Sequence, residues 1–274
     1  MRPRLVAVGM VLVLATAACS VGATQVGATP ADESPGPGGA SLTIYGAASL
    51  KGVLGQVKTA YEAAVPGTTL TIATDSSTTL ETQIEQGAPA DVFLSADTGN
   101  PQKLIDGGFA SGSPVPFAGN QLTVIVPTGN PAGIGTPADL ARAGVKVIAA
   151  GDKVPITTYA TQLVDNLAGE PGYPADFAAA YAANVVSRED DVKAIVAKIE
   201  LGEGDAGIVY ATDAGASANV LTIDVPGSAN VTATYAGVVV KASPNTAAAK
   251  AFLDWFAGAD GQAILAAFGF LPAP

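Results

Sequence analysis

The chain predicts an α/β protein of two lobes, with mostly parallel sheets and a ligand cleft between the lobes. Three observations carry this. Short β-branched runs alternate with stretches of helical periodicity, the alternation comes in two series with the second starting at Gln121, and the roughly 230 residues after position 40 suffice for two lobes of ordinary size. Repeated strand-turn-helix units imply parallel strands covered by helices.

In the first series, Leu42 to Tyr45 reads as a strand. After the small-residue turn Gly46 to Ser49, the apolar positions Leu50, Val53, Leu54, Val57 and Tyr61 fall at helix spacing. Thr69 to Ala73 repeats the strand and Asp75-Ser76-Ser77-Thr78 the turn. Leu80 and Ile84 give the buried stripe of the next helix, with Thr78 and Glu81 at capping-box spacing. Asp91 to Leu94 is a third strand. In the second series, Gln121 to Pro127 is an apolar strand ended by proline, and Thr136-Pro137-Ala138-Asp139 supplies an N-cap, a proline at the first helical position and an acid in the first turn. Lys146 to Ala149 is a buried strand, and Gly151 to Pro155 leads to a helix through Tyr159, Leu163 and Leu167. Val192, Ile195, Val196 and Ile199 form another stripe, Ala206 to Tyr210 another strand, and Val231 to Val240 a long strand. A closing helix carries Phe252, Trp255 and Phe256, then Ile264, Leu265 and Phe268. The expected division is lobe 1 over 41–121 and 236–274, and lobe 2 over 122–235.

The N-terminus reads differently. Arg2 and Arg4 precede an apolar run from Leu5 to Leu14, followed by Thr16-Ala17-Ala18-Cys19, which is the pattern of an export signal. The run is far below the ~20 residues needed to span a bilayer. Cys19 sits where a bacterial lipobox places the residue to be lipidated, although Thr16 stands where leucine is commoner. A spare or buried thiol is the alternative, but an exported chain with one cysteine has no disulfide partner to offer. Residues 1–19 are therefore expected to be a lipoprotein signal peptide. Residues 20–40, rich in Gly, Ala, Pro, Thr and Ser, have too little apolar bulk to offset the entropy of ordering them and read as a flexible tether. The expected location is the outer face of the cell membrane, held by a lipid anchor.

Composition narrows the function. Thirteen Lys and Arg against 24 Asp and Glu give a net charge of −11, and loss of Arg2 and Arg4 with the signal takes it to −13. That balance argues against nucleic acid and anionic lipid as partners, so an anion held by this chain must be held by local dipoles. With no histidine and a single cysteine, Ser-His-Asp and Cys-His catalysis and Cys/His zinc sites are excluded. Carboxylate chemistry and pure binding remain.

Four turn segments rich in hydroxyls or small residues precede helices: Ala47-Ala48-Ser49, Ser76-Ser77-Thr78, Val154-Pro155-Ile156-Thr157 and Asp190-Asp191-Val192. A helix N-terminus offers unpaired N–H groups and the positive end of the helix dipole, and strand-to-helix turns are where open α/β sheets bind ligands. A serine in such a turn can serve an anion or simply cap its helix.

The segments Gly46-Ala47-Ala48-Ser49-Leu50, Asp75-Ser76-Ser77-Thr78-Thr79-Leu80 with Gln83-Ile84-Glu85, the run from Gly87 to Asp97, and Gly207-Ile208-Val209-Tyr210 together closely resemble the periplasmic molybdate-binding proteins of ABC transporters, which are bacterial extracellular solute-binding proteins. Gly87 to Asp97 is the most specific of them, and the resemblance runs from about Ser41 to Phe268-Gly269-Phe270. It implies a type II periplasmic-binding-protein fold with molybdate, or tungstate, buried between the lobes and handed to the membrane permease subunit of an ABC importer. It also implies a monomer, no cofactor and no catalysis. Carried over by position, Ser49 and Ser77 would supply hydroxyl and backbone N–H donors, Ile156 and Val192 backbone N–H groups, and Tyr210 its phenol.

Three departures from the family pattern bear on the pocket. Ile156, Thr157 and Thr158 replace the small residues usual after the proline. Asp75 stands where a small residue is usual, and Asp190-Asp191 adds further carboxylates close to the expected dianion. The rival readings are the same fold for another oxyanion such as sulfate, a carboxylate enzyme using Asp91, Asp97 or Asp190, and a lipoprotein that only adheres to other proteins.

Overall fold

A computed structural model describes residues 39–274; Cys19, the signal segment and nearly all of the expected tether lie outside the described residues. In chain order the strands and α-helices are β1 Ser41–Ala47, α1 Lys51–Ala64, β2 Thr69–Asp75, α2 Ser77–Glu85, β3 Val92–Ser95, α3 Gly99–Asp106, β4 Val115–Asn120 and β5 Leu122–Pro127. There follow β6 Val147–Ala150, α4 Pro155–Ala168, α5 Phe177–Asn184, β7 Val185–Glu189, α6 Val192–Glu200, β8 Ala206–Tyr210, α7 Ala211–Gly215 and β9 Val220–Ile223. The chain closes with β10 Ala233–Val239, α8 Thr246–Ala257 and α9 Ala259–Ala267. Short 3-10 turns cover Ala48–Leu50 and Pro137–Ala141, and the second carries the reciprocal Thr136 and Asp139 cap that its sequence suggests.

The strands form two five-stranded sheets, in the orders β2-β1-β3-β10-β4 and β7-β6-β8-β5-β9. The two orders are the same pattern. In each sheet three strands pair in parallel, and the fourth, β10 or β5, arrives from the other lobe and pairs antiparallel to both neighbours. The sheets are therefore mixed, with four of the five strands in each running the same way and the strand that crosses between lobes entering in the reverse direction.

Two segments make the crossings: the single residue Gln121 between β4 and β5, and the loop over 224–232 between β9 and β10. Asn230 joins them, its amide oxygen accepting from Leu122 N at 3.1 Å and its Nδ2 donating to Leu122 O at 2.9 Å. The expected return to lobe 1 at residue 236 falls inside β10; Ala233, Thr234 and Tyr235 already pair with Asn120, Gly119 and Ala118 of β4. Apolar patterning marked the strand but carries no information about which sheet it joins.

The single closing helix is two helices. Gly258 has an extended backbone (ψ −173°), and α9 packs so closely that a Cβ on Gly261 would meet the Phe256 carbonyl oxygen at 2.0 Å. The elements not anticipated are α3, β4, α5, β7, α7 and β9, and some of these carry weak local patterns. For example, α5 buries only Phe177 along an alanine-rich run, and β7 is an edge strand of intermediate and exposed residues.

Register places the turns that matter. Ala47, the last residue of β1, pairs beside Asp75, the last of β2, so the chain enters the first 3-10 turn and α2 at adjacent points of one sheet end. In the second sheet Ala150 pairs with Glu189, and Ile148 with Gly207, which brings the starts of α4 and α6 and the end of β8 together. Gly207 allows α6 to lie on β8: a Cβ there would come within 2.7 Å of Ile195 Cγ2 and 3.1 Å of the Ile148 carbonyl oxygen.

Candidate functional site

The two clusters of strand ends face each other across a small cavity of about 10 Å³. Its wall includes Ser49 and Ser77 from the first lobe and Ile156, Val192 and Tyr210 from the second, so the five residues singled out in the sequence meet at one place. No described residue in the wall is lysine or arginine.

In the first lobe neither serine caps its helix through the side chain. Ser49 Oγ lies 3.0 Å from the hydroxyl of Tyr235, and Ser77 Oγ accepts the Ala96 N–H at 3.0 Å. A serine oxygen that accepts from the protein keeps its own proton for a ligand. The helix α2 starts at Ser77, two positions earlier than the capping-box spacing of Thr78 and Glu81 implies, with Ser76 at the N-cap. The Thr78 hydroxyl instead donates across the cleft to the Lys153 carbonyl at 2.6 Å.

In the second lobe α4 begins at Pro155, which has no N–H, so the first amide it can offer is that of Ile156. The bulk after the proline does not compete for that role: Thr157 N–H bonds to the Val154 carbonyl at 2.9 Å and its hydroxyl to the Gly151 carbonyl at 2.8 Å. Asp191 caps α6 by accepting the Ala194 N–H at 3.0 Å, which leaves the Val192 amide among the unpaired donors of the first turn. Asp75 is similarly engaged, its Oδ1 accepting the Ser76 N–H at 2.7 Å. Both carboxylates beside the cleft thus have backbone donors of their own.

Tyr210 closes the cavity. It is 1% exposed, and its hydroxyl has no protein partner. Its ring sits edge-on to Tyr235 at 5.5 Å and to Tyr159 at 6.4 Å. Burial first, then the neighbouring Tyr235 and Tyr159 and the charges of Asp213 and Asp97, push its ionisation well above the ordinary phenol range, so it remains a neutral donor. Asp213 is itself fully buried, and burial raises its carboxyl; Lys193 Nζ, 2.6 Å away, opposes that rise.

The three carboxylates considered for catalysis do different work. Asp91 accepts the Thr43 N–H at 2.7 Å and the Ser243 hydroxyl, Asp97 holds Ser95 and Asn100, and Asp190 is exposed. Among the described residues no three His, Cys, Asp or Glu side chains are grouped to hold a metal ion. Sequence reasoning missed Tyr235 and Asn120, which stand behind Ser49, and the bond from Thr78 to Lys153, since nothing local shows what a strand tyrosine or a helix-start threonine will meet.

Residues 42–271 match the family described as bacterial extracellular solute-binding protein. The chain belongs to this family. This solute-binding protein is 34% identical over 245 residues to the molybdate-binding protein ModA of Mycobacterium tuberculosis, a match covering 88% of the chain and 89% of that relative. Among solved structures it superposes on the periplasmic molybdate-binding protein of Azotobacter vinelandii with a TM-score of 0.71 at 25% identity, over 85% of this chain and 100% of the other. The sulfate-binding protein SubI of Mycobacterium tuberculosis gives a TM-score of 0.75 at 22% identity, covering 85% of this chain and 87% of SubI, which is a likeness of fold. As a member of an extracellular solute-binding family, the protein carries a solute and is not an enzyme. No described helix is long and apolar enough to cross a membrane.

Proposed function

We propose that this solute-binding protein captures molybdate, and tungstate with it, in the cavity between its lobes and delivers the anion to the permease subunit of an ABC importer. The observation that carries the reading is the Tyr210 hydroxyl, a buried donor without a protein partner on a residue that lines the cavity with two serines and two helix starts. Leaving such a group unpaired costs about 1–3 kcal/mol, which a ligand oxygen would recover. Molybdate binding by relatives that share a third of the sequence over most of its length supports the choice of anion.

In this reading Ser49, Ser77 and Tyr210 donate hydroxyl protons and Ile156 and Val192 donate amide protons. Each bond to the charged oxyanion contributes about 1.5–3 kcal/mol net, so several together reach the ~8–12 kcal/mol of micromolar to nanomolar binding after the cost of closing the lobes. Neutral donors suit a fully deprotonated dianion. Hydrogen phosphate brings a proton that needs an acceptor, and sulfate is smaller and leaves longer bonds. The reading needs no cofactor and a single copy of the chain. Lipidation at Cys19 would hold the protein at the outer face of the cell membrane, with residues 20–40 as the tether.

Thermal melting of the chain with molybdate, tungstate, sulfate, phosphate or no ligand at equal ionic strength tests it. A ligand present at 100 times its dissociation constant adds about 2.7 kcal/mol. Stabilisation by molybdate and tungstate alone supports the reading. Stabilisation by sulfate alone reassigns the anion, and none at all removes the proposal.

A further inference from the structure

We propose that Tyr235 and Asn120, neither of which lines the cavity, are positioning residues that fix the Ser49 hydroxyl as a proton donor toward the ligand. The inference rests on the anion-binding reading above and names what sets the direction of one of its donors.

Tyr235 stands on β10 at an irregularity of the ladder with β4, where a bulge re-aims a side chain. It is fully buried, with its hydroxyl 3.0 Å from Ser49 Oγ and 3.4 Å from Asn120 Nδ2. Asn120 Nδ2 also donates to Thr212 Oγ1 at 2.8 Å. An amide nitrogen can only donate, so the Tyr235 oxygen must accept from Asn120. The phenol proton is then directed to Ser49 Oγ, and the Ser49 proton is left for the cavity. Turning the Asn120 amide over would reverse the chain of donors, but it would bury two N–H groups where now one carbonyl oxygen lacks a partner, the more costly arrangement. Burial, more than the nearby Asp213 charge, keeps the Tyr235 proton in place far above the ordinary phenol range.

Ser77 is held in the same sense by a different group, the Ala96 N–H. The first lobe therefore offers two hydroxyls that each already accept from the protein. Released from Tyr235, Ser49 can rotate and accept, which is what a protonated oxyanion requires. Tyr235 and Asn120 thus bear on the discrimination between molybdate and hydrogen phosphate.

The test is a double-mutant cycle read by calorimetric titration of the full chain with molybdate and with phosphate. Tyr235→Phe keeps the ring and is expected to lose about five- to ten-fold in molybdate affinity when Ser49 is present, but less than about two-fold in a Ser49→Ala background. The preference for molybdate over hydrogen phosphate should narrow in Tyr235→Phe. Equal losses in both backgrounds, or an unchanged preference, overturn the relay. If Tyr235→Phe shows no cooperative melting transition, Asn120→Ala carries the same cycle, with a loss of at least about two-fold expected only when Ser49 is present. A wild-type chain that binds none of the anions sinks the functional reading itself, whereas wild-type binding without coupling between positions 235 and 49 removes only the relay.

Discussion

Thr78 donates its hydroxyl to the Lys153 carbonyl at 2.6 Å, tying the first turn of α2 in one lobe to the loop that leads into α4 in the other. The bond can form only while the lobes are together, so it should slow opening and have little effect on encounter. It is exposed, and an exposed neutral hydrogen bond contributes about 0.5–1 kcal/mol. Thr78→Val is expected to raise the dissociation rate of molybdate about two- to five-fold in stopped-flow measurements, with the association rate unchanged. A change confined to association would mean that the contact is already made in the open protein.

Tyr210→Phe separates a ligand-binding hydroxyl from a structural one. The phenol oxygen has no protein partner, so its removal should leave the ligand-free melting temperature unchanged or slightly higher. Molybdate affinity should fall ten-fold or more, consistent with about 1.5–3 kcal/mol for a bond to a charged group. A clear loss of ligand-free stability would show that the hydroxyl serves the fold.

Ser49→Ala and Ser77→Ala should each weaken molybdate binding about ten-fold or more by titration. Ser77→Ala has an additional effect, because it leaves the Ala96 N–H without the acceptor it has at 3.0 Å. It should therefore also lower ligand-free stability by about 1–3 kcal/mol. Unchanged affinity in both variants would place the site elsewhere.

Lys193→Met strands a fully buried carboxylate. Asp213 already has a raised pKa because of burial, and Lys193 is what opposes that rise. Breaking a buried pair costs about 3–5 kcal/mol, and the partial exposure of Lys193 reduces this to about 1–3 kcal/mol at neutral pH. The sign of the pH dependence follows. A folded-state pKa raised further above the unfolded value favours the protonated form, so the deficit should shrink as pH falls toward the ordinary carboxylate range and grow as pH rises through the folded pKa. Denaturant unfolding of both proteins from pH 4 to pH 8 measures it, and a deficit independent of pH would mean that Asp213 does not titrate with the fold.

The buried tyrosines set an alkaline limit. Burial, with Asp97 adding to it, pushes Tyr159 to about 12, burial takes Tyr181 to about 12, and burial also raises Tyr210 and Tyr235 well above the ordinary phenol range. Unfolded tyrosines ionise near 10, so the folded state holds these protons more tightly. Its advantage is complete below pH 10 and is lost as pH rises through the folded values. Denaturant midpoints without ligand should be flat from pH 8 to about 9.5 and fall steeply above 10. A midpoint that stays level to pH 11 would contradict the burial of these phenols.

Much of this was legible in local pattern. The runs at Leu42, Thr69, Gln121, Lys146 and Ala206 became strands β1, β2, β5, β6 and β8, because alternation and apolar runs report burial directly. The turns that hold Ser49, Ser77, Ile156 and Val192 could be picked out because strand-to-helix turns carry unpaired amides wherever they fall, whereas Tyr210 and the choice of individual residues came from the resemblance to molybdate-binding proteins. What was not legible depended on partners distant in sequence. The residue at which β10 rejoins the first sheet depends on its pairing with β4. The capping role suggested for Thr78 gave way to a carbonyl 75 residues away.

By itself, the sequence determined an acidic, histidine-free chain of two α/β series in which an anion must be held by local groups and not by the overall field, since residue types and their spacing are enough to establish both points. Only the tertiary structure decided which of those dipoles are free. Asp75 and Asp191 use their carboxylates on nearby amides, Ser77 accepts from Ala96, Ser49 meets Tyr235 across 186 positions of chain, and the Tyr210 hydroxyl is left unpaired. A hydrogen bond has direction and reach of about 3 Å, so whether a donor is spent or available depends on what the fold brings within that distance.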